Sequence, residues 1–552
     1  MPWTQRYGPL AAVGAVLCIA GLAASTGAIH ARLYGHDIFF LLDNGWRAFR
    51  GQRVHLDYSS AWGPVTFLLV AAGLAVSGGS VAAVSYANAF AAAAAGLWSA
   101  WLAAGRSRTM MVVACPCFVA LVVAAPFVLG EAPVWTSHGM VYNRYGYALL
   151  TILLLECFVP AAADRQELGR RWIEPALTGC ALGLLLFLKI SYFLVALPLL
   201  GLSLLFRTPR GSRALAHAAG FFATALIFLA YLRFDVAAMF EDLFAAGAAR
   251  TGSLALGPGF ADLLAGCLLR AVPLAAVTFW CHRRFGPAAN MQSLWRGWCY
   301  PLTAVMVVVA DTLLLLTNAQ PSSYPLTGAF AMVLLLSIEP VPRSSTSPRS
   351  SRAVRFLFLA AGLLAVPMVL MQIAGLGYGF MESRANPDPP GVLRFESARL
   401  HPLVLYDAAP GDIDKFSNGR EYVSSVNDGM RLLAAHTQPA DKVTTLDMFN
   451  PFTYALGREP IRGGIASAAY RYTLDDRHHP SPARFFADAA VVMAPKYPAS
   501  PHMFYDGYRK IYEPALEKEF RLDAESSRWL LYRRVSGQDA SSAPTARTAG
   551  GN

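Results

Sequence analysis

The sequence predicts a polytopic α-helical membrane protein with about eleven spanning helices and a C-terminal α/β domain outside the membrane. Three observations support this fold class. The 552-residue chain is 55% hydrophobic and only 15% charged, whereas soluble domains carry about 25% charged residues. The arginines form short clusters between apolar runs, as cytoplasmic loops do. The acidic residues are concentrated near the end, where 21 of the 35 follow residue 380.

The same distribution excludes two other classes of protein. A net charge of +11 would suit a nucleic-acid-binding protein, but loop topology already explains the arginine clusters, so no nucleic-acid partner is predicted. All eight cysteines lie in apolar segments. A disulfide framework or a zinc site in the polar tail is therefore not expected.

Each spanning helix needs about 20 largely apolar residues. The first candidate resembles a signal peptide, with a cleavage-like Ala28-Ile29-His30-Ala31, but we expect it to be retained; the loop after it lies outside in either case. The predicted segments are residues 9–29, 81–104, 109–130, 144–163, 175–190, 191–206, 214–234, 260–281, 299–317, 326–339 and 355–376.

Two stretches, 62–79 and 175–206, allow different interpretations. Residues 62–79 are apolar enough to span, and residues 175–206 suit either one long helix or a hairpin. The positive-inside rule favours an interfacial helix over 62–79 and a hairpin over 175–206, because this combination places the main arginine clusters in the cytoplasm. The N-terminus is then cytoplasmic and the C-terminal domain extracytoplasmic, in a multi-pass protein of a bacterial inner membrane.

We divide the chain into a transmembrane module over residues 1–380, an extracytoplasmic α/β domain over 381–535 and a disordered tail over 536–552. The first outer loop of the module covers residues 30–80. The tail is predicted to be disordered because its residues are small and polar. Within the domain, helix and strand signals alternate: a helix over 427–436 and strands over 442–446, 489–493 and 529–532.

The first outer loop is the most informative stretch. Its apolar residues define one broad face of a helix that Gly51 ends, and Gly63-Pro64 begins a second apolar stretch. The loop also carries arginines on the outer side, against the positive-inside trend. They fit either an amphipathic anchor with snorkelling arginines or an outer active site whose cations meet an anionic headgroup. The apolar face consists of Phe39, Phe40, Leu42, Trp46 and Phe49.

This loop resembles the GT-C superfamily of membrane glycosyltransferases, which includes protein mannosyltransferases, lipid A aminoarabinose transferases and oligosaccharyltransferases. The resemblance rests on an early Asp37, an interfacial helix, Gly51, the Asp57-Tyr58 pair and Gly63-Pro64. It covers the topology of about residues 1–380 and is motif-specific over 36–64. It implies a GT-C-like fold with two interfacial helices in the first outer loop.

The resemblance also implies site residues. Asp37 matches the family's catalytic carboxylate, while Asp57 and His55 match a second polar position, which makes Asp57 the second candidate for the base. Many members place an acidic residue, sometimes a metal ligand, in the second outer loop. Here that loop offers Glu131, His138 and Asn143 but no aspartate, so neither a metal nor another cofactor is predicted.

The expected chemistry follows from the side of the membrane. Nucleotide sugars are made in the cytoplasm, so an outward-facing transferase needs a lipid-linked donor, here a polyprenyl-phosphate sugar. Its phosphate leaves with little need for protonation, and one base takes the proton from the acceptor hydroxyl. Cations then stabilise the charge that develops on the phosphate. The acceptor is a glycan, a lipid or a protein.

Candidate phosphate-binding cations lie at outward-facing helix ends. Lys189 is the strongest, because it interrupts an apolar run and an ionisable residue there is costly without a partner. Arg144 and Arg250 are further candidates, and each of the three is otherwise an interface anchor. Asn318 and Gln320, in an outer polar loop, are candidate sugar contacts or simply part of a turn.

Three functions remain open from the sequence. The favoured one is a glycosyltransferase that moves a hexose or pentose from a polyprenyl-phosphate carrier to an acceptor on the outer face. The first rival is a transporter or flippase of a lipid-linked saccharide, although the inverted repeat typical of such proteins is not found. The second rival is a non-catalytic subunit of an envelope polysaccharide assembly machine, with the tail as its docking domain.

Overall fold

The computed structural model describes residues 3–25, 27–107, 109–161, 168–206, 210–251, 291–318, 324–337, 348–407, 419–498 and 502–535, and four positions within 265–269. The predicted segment 260–281 falls almost wholly outside the described residues. Gln320 and the predicted disordered tail lie outside them as well.

The first part of the chain is helical. Among the described residues, six helices are long and apolar enough to cross a membrane. The chain is therefore a multi-pass membrane protein, while the predicted number of eleven spans stays a prediction. The helices are α1 (Trp3–Ala24), α2 (Asp37–Phe49), α3 (Pro64–Val76), α4 (Ala83–Ala104), α5 (Met111–Ala124), α6 (Val141–Phe158), α7 (Leu168–Leu188), α8 (Ile190–Phe206), α9 (Arg210–Tyr231), α10 (Val236–Thr251), α11 (Met291–Asn318), α12 (Pro325–Ser337) and α13 (Pro348–Ala385).

The stretch 175–206 forms two helices that meet at Lys189. The contacts between α7 and α9 follow the same order along both helices. Gly179 packs on His217, and Phe187, later in α7, stacks on Phe228, later in α9, with ring centroids 4.6 Å apart. The two helices are therefore parallel, and α8 between them must return in the opposite direction. This matches the hairpin interpretation.

Helix α2 is not the half-exposed interfacial helix that the sequence predicts. Ten of its 13 residues are buried, because the C-terminal domain covers its polar side. The Asn44 amide donates to the Ala466 carbonyl at 3.1 Å, and the Trp46 indole donates to the Arg458 carbonyl at 2.8 Å. The periodicity is a correct local signal, but the covering surface lies about 400 residues later in the chain.

The outer-loop arginines are likewise engaged with protein groups rather than with headgroups. Arg47 pairs with buried Asp43 at 3.1 Å, and its guanidinium also donates to two backbone carbonyls of the C-terminal domain. Arg50 pairs with Glu459 at 2.5 Å, and Arg53 donates to a backbone carbonyl at the end of α9. Both sequence interpretations of these cations are therefore replaced by a third, in which they join the loop to the protein around it.

The C-terminal part contains a four-stranded sheet of order β3-β4-β6-β5. Strands β3 and β4 are parallel and the other two pairs are antiparallel. The three predicted strands are found within a few residues, whereas the predicted helix ends where expected but begins eight residues earlier, at Gly419. Sequence reasoning missed β5 and the last helix. The elements are α14 (Gly419–His436), β3 (Val443–Thr445), α15 (Phe452–Ala455), α16 (Pro482–Phe486), β4 (Val491–Pro495), α17 (His502–Glu519), β5 (Phe520–Glu525) and β6 (Trp529–Arg534).

The two parts of the chain share one core. Strand β1 (Ile29–Ala31), directly after α1, pairs in parallel with β2 (Leu403–Leu405). The principal hydrophobic cluster extends from α1 to Leu531 in β6. The boundary predicted at 380/381 falls inside α13, which continues to Ala385. The C-terminal part is therefore packed onto the membrane module rather than linked to it loosely.

Candidate active site

A cavity of about 420 Å³ lies where the first outer loop, the α7–α8 junction, α10, the end of α11 and the C-terminal domain meet. The start of α6 supplies the remaining wall. Three of the residues predicted from the sequence line it together: Asp37, Lys189 and Arg250. Asn318, predicted as a sugar contact, also lines this cavity.

Asp37 is the first residue of α2, and its carboxylate faces this cavity. His36 occupies the N-cap position without a side-chain cap bond, so Asp37 is not the N-cap of α2. Oδ1 of Asp37 lies 3.4 Å from Nε2 of His36. The absent side chain of Gly139 leaves room for the carboxylate, because a Cβ there would come within 2.8 Å of Oδ2.

Burial determines the proton affinity of this carboxylate. It raises the pKa of Asp37 above the ordinary value, and the neighbouring His36 opposes that rise. A helix N-terminus favours an ionised carboxylate, but desolvation is the larger effect here. A raised pKa makes the ionised carboxylate a stronger base, which suits a group that accepts a proton.

Lys189 sits in the one-residue break between α7 and α8, so its side chain projects from a helix junction into the cavity. Nζ lies 4.8 Å from the ring centroid of Tyr142 and 5.8 Å from that of Trp62. Among the described residues, no carboxylate lies within 4.0 Å of it. The ammonium is therefore held by two aromatic faces and keeps its N–H donors available to an anion.

Arg250 brings a second cation to the same cavity from the last turn of α10. Its guanidinium lies 5.2 Å from the ring centroid of Tyr472 and donates to the Leu316 carbonyl at 3.1 Å. Arg250 is close enough to Lys189 for the two charges to repel. Two neighbouring positive charges repel each other in a partly desolvated cavity. A bound anion such as a phosphate offsets this repulsion, so the pair suits an anionic ligand.

Among the described residues, two of the buried polar atoms at the cavity wall that lack a hydrogen-bond partner are oxygens. They are Oγ of Ser191, two residues after Lys189, and Oδ1 of Asn318, whose amide donates to the Tyr192 hydroxyl at 3.1 Å. Buried polar atoms of this kind are normally satisfied by a partner. A hydroxylated ligand would supply one, which fits the predicted sugar contact of Asn318.

Asp57 and His55 lie outside the lining of this cavity. One carboxylate oxygen of Asp57 accepts from the Arg53 amide at 2.6 Å and closes a local turn. His55 is fully buried, and its Nδ1 lies 2.8 Å from Oδ2 of Asp242, which also accepts from the Ser60 amide at 3.0 Å. Asp57 therefore has a structural partner within the first outer loop, and His55 has one on α10.

Arg144, His138 and Asn143 are also buried outside the cavity lining. The guanidinium of Arg144 donates to two backbone carbonyls and to the side-chain oxygen of Gln372. These hydrogen bonds connect segments of the protein interior. Burial lowers the pKa of His138 to about 4, so it is neutral at ordinary pH. Arg144 is thus geometrically unsuited to hold a donor phosphate, although its position at a helix end made it a reasonable candidate.

Sequence reasoning missed the contribution of the C-terminal domain to this cavity. Met448, Phe449, Ser467, Tyr472 and Thr473 all line it, from segments without regular secondary structure. Phe449 stacks on His36 with ring centroids 5.9 Å apart, directly beside Asp37. No periodic pattern marks these residues, so only the folded structure brings them to the site.

One cluster with metal-ligand chemistry occurs in the part of the chain that the structure describes, and it lies away from the cavity. It consists of Glu156, Cys157 and His217, near the opposite end of α6. The Glu156 carboxylate already accepts from Arg213 at 2.5 Å and lies 3.4 Å from His217. The Glu156 carboxylate thus forms an interhelical hydrogen bond, and the positive charge of Arg213 already balances the charge that a metal ion would otherwise balance.

No family model and no curated protein sequence matches the chain. Solved structures with a similar arrangement include ArnT from Cupriavidus metallidurans in the apo state, at 14% identity over 95% of this chain and 97% of that one, with a TM-score of 0.43. ArnT bound to undecaprenyl phosphate aligns at 13% identity over 96% and 99%, with a TM-score of 0.41. The Archaeoglobus fulgidus oligosaccharyltransferase tethered to an acceptor peptide aligns at 12% identity over 97% and 75%, with a TM-score of 0.39.

Proposed function

We propose that this chain is a GT-C-type glycosyltransferase that moves a sugar from a polyprenyl-phosphate donor to an acceptor on the outer face of the membrane. The observation that carries the proposal is one cavity holding a half-buried carboxylate, Asp37, and two cations, Lys189 and Arg250. A base and an anion-stabilising pair are the two elements that such a transfer requires.

The apolar part of the cavity favours a lipid-linked donor. Leu194 on α8 lines the cavity and is also 57% exposed on the outside of the helical bundle. Gly247 on α10 lines the cavity and is exposed too, with open space where a side chain would be. The cavity thus adjoins an exposed apolar part of the helix surface, and we expect a prenyl chain to lie along it while the phosphate meets Lys189 and Arg250.

The transfer proceeds by a direct displacement. Asp37 accepts the proton of the acceptor hydroxyl as that oxygen forms a bond to the anomeric carbon. The bond between the anomeric carbon and the phosphate oxygen breaks, and the electron pair leaves with the polyprenyl phosphate. Lys189 and Arg250 stabilise the negative charge that develops there. Transfer of a hexose or a pentose satisfies this scheme equally.

The location follows from the topology argued from the arginines. The cavity lies next to the C-terminal domain, and both belong to the outer side if the N-terminus is cytoplasmic. A bacterial inner membrane supplies polyprenyl carriers on that side. A non-catalytic assembly subunit gives no role to a carboxylate beside two cations, and a flippase needs the cations to bind the donor phosphate but needs no base for an acceptor hydroxyl.

The test uses purified protein in lipid nanodiscs and synthetic undecaprenyl-phosphate sugars. We expect acceptor-dependent release of undecaprenyl phosphate when a membrane extract supplies acceptors. In proteoliposomes, movement of intact undecaprenyl-phosphate sugar between the leaflets without bond cleavage would instead establish the flippase. Failure to bind undecaprenyl phosphate would contradict both functions.

A further inference from the structure

A second, smaller cavity of about 60 Å³ adjoins the one that contains Asp37, and Ala61 and Thr473 line both. Its walls come from the first outer loop, from α10 and from the C-terminal domain. At about 10–15 Å³ for each water, it has room for roughly four waters, or for one edge of a sugar ring.

The walls of the smaller cavity are held in place by hydrogen bonds between the two parts of the chain. The Ser59 amide donates to the Gly464 carbonyl at 3.2 Å, and Arg484 Nη2 donates to the His55 carbonyl at 2.9 Å. Asp242 joins α10 to the same loop by accepting from His55 and from the Ser60 amide. These hydrogen bonds therefore fix the walls of the smaller cavity at the interface between the two parts of the chain.

Its free polar groups are mostly hydrogen-bond acceptors. Glu241 presents an exposed carboxylate from α10. Nδ1 of His478 lies 3.0 Å from Oδ1 of Asp475, and Nδ1 of His479 lies 2.9 Å from the Pro480 carbonyl. In the neutral form, both rings then carry the proton on Nδ1 and leave Nε2 as an acceptor.

We propose that this smaller cavity binds the acceptor as a neutral, hydroxyl-rich saccharide. Sugar hydroxyls donate to the Glu241 carboxylate and the histidine Nε2 atoms, and they accept from the remaining N–H groups of Arg484. A sugar held there rests against Ala61 and Thr473, so that one hydroxyl reaches the cavity in which Asp37 is the base. The inference rests on the proposed function and names its acceptor class.

The experiment measures binding of neutral methyl glycosides by saturation-transfer NMR on the full-length protein in nanodiscs. The probes are methyl glucoside, methyl galactoside and methyl mannoside. Ala245→Phe fills the smaller cavity, because Ala245 lines it and does not line the larger one. Ala237→Phe, exposed on the same helix and lining neither cavity, is the matched control.

We expect signals from at least one glycoside with the wild type and with Ala237→Phe, and a loss of at least 5-fold with Ala245→Phe. Glu241→Ala, at an exposed position, should weaken the same signals without a folding defect. Undecaprenyl phosphate binding, measured on the same samples, should be unchanged in all variants, which separates this inference from the donor site.

The inference is overturned if no neutral glycoside gives a signal, or if the signal survives Ala245→Phe. Displacement of the glycoside by undecaprenyl phosphate would also overturn it, since the two would then share one site. A signal from a cationic amino sugar alone would reject the neutral class of acceptor.

Discussion

Asp37 is half-buried, begins α2 and lies in the wall of the cavity that it shares with Lys189 and Arg250. Among the described residues, no lysine or arginine lies within 4.0 Å of its carboxylate, and the one ion-pair approach is that of His36 at 3.4 Å. Most other carboxylates of the first outer loop and α10 are engaged: Asp43 with Arg47, and Asp242 with His55. This difference is the reason that we propose Asp37 as the base.

Replacing Asp37 by Asn should reduce transfer by about two orders of magnitude or more, the scale expected for loss of a general base. The variant should fold and bind undecaprenyl phosphate as the wild type does, because His36 rather than Asp37 occupies the N-cap. Initial rates and lipid binding on the same preparation measure this. Asp57→Asn is the matched control, and full activity of Asp37→Asn would move the role of base to Asp57.

The raised pKa of Asp37 predicts the pH dependence of transfer. The base must be ionised, so activity should be lost as the pH falls through a pKa that lies above the ordinary aspartate value of about 3.9. A profile of kcat/KM against pH should show an acidic limb displaced upwards from that value. His36→Gln removes the adjacent titratable ring and should shift the limb further up, because His36 lowers the pKa of Asp37. A flat profile down to pH 4 would contradict the assignment.

Lys189→Met should weaken the binding of undecaprenyl phosphate by roughly 1–3 kcal/mol, as expected for the loss of a hydrogen bond to a charged group. Methionine keeps the length and the apolar contacts with Trp62 and Tyr142, so folding should be preserved. Lys510→Met, at an exposed position of α17, provides the control. Unchanged lipid affinity in Lys189→Met would return Lys189 to the role of an interface anchor.

At the scale of single residues, the sequence identifies candidate site residues where a charged side chain interrupts apolar neighbours. Lys189 interrupts an apolar run and does line the cavity. Arg144 has the same local signal, yet its guanidinium binds carbonyls of the protein interior. The sequence shows that a buried cation needs partners, but it does not show whether those partners belong to the protein or to a ligand.

At the scale of elements, the positions of α2 and α3 were predictable and their environment was not. The apolar period and Gly51 locate α2, whereas its burial depends on a C-terminal surface that sequence periodicity does not report. Its contact with α3 is close at Gly45, where a Cβ would come within 2.3 Å of Cγ1 and 2.8 Å of Cβ of Val70. The absent side chain lets the two helices approach each other.

Gly45→Ala should therefore destabilise the protein by about 1–3 kcal/mol, the usual cost of overpacking a core. Because α2 carries Asp37, the same variant should lower the transfer rate more than the affinity for undecaprenyl phosphate. Thermal unfolding in detergent measures the first effect and steady-state kinetics the second. Gly14→Ala, in α1 with nothing within 4 Å of the new Cβ, should leave both unchanged; equal stability of the two variants would contradict the tight contact.

At the scale of the whole molecule, composition predicts the class of protein but not how the two parts of the chain pack together. The apolar content predicts a multi-pass protein, and the shift after residue 380 predicts a polar domain. The pairing of β1 with β2, between residues 29–31 and 403–405, has no sequence signal, because three-residue strands carry too little pattern. That pairing and the shared core explain why the site is built from both parts of the chain.

Topology provides the last prediction, and it tests the placement of the site on the outer face. Helices α7 and α9 run parallel with α8 returning between them, so the end of α7, Lys189 and the start of α8 lie on the side opposite Arg213 and Glu156. The arginine clusters assign the Arg213 side to the cytoplasm. Lys189, Asp37 and the C-terminal domain then lie outside.

A reporter fused after residue 385, where α13 ends, should be active only in the outer compartment, and a reporter inserted at residue 345 only in the cytoplasm. Alkaline phosphatase and green fluorescent protein distinguish the two compartments. If both fusions report the same side, α13 does not cross the membrane and the placement of the cavity on the outer face is wrong. If both are inverted, the fold stands but the donor must be presented from the cytoplasm, and a lipid-linked carrier is no longer required by the location of the site.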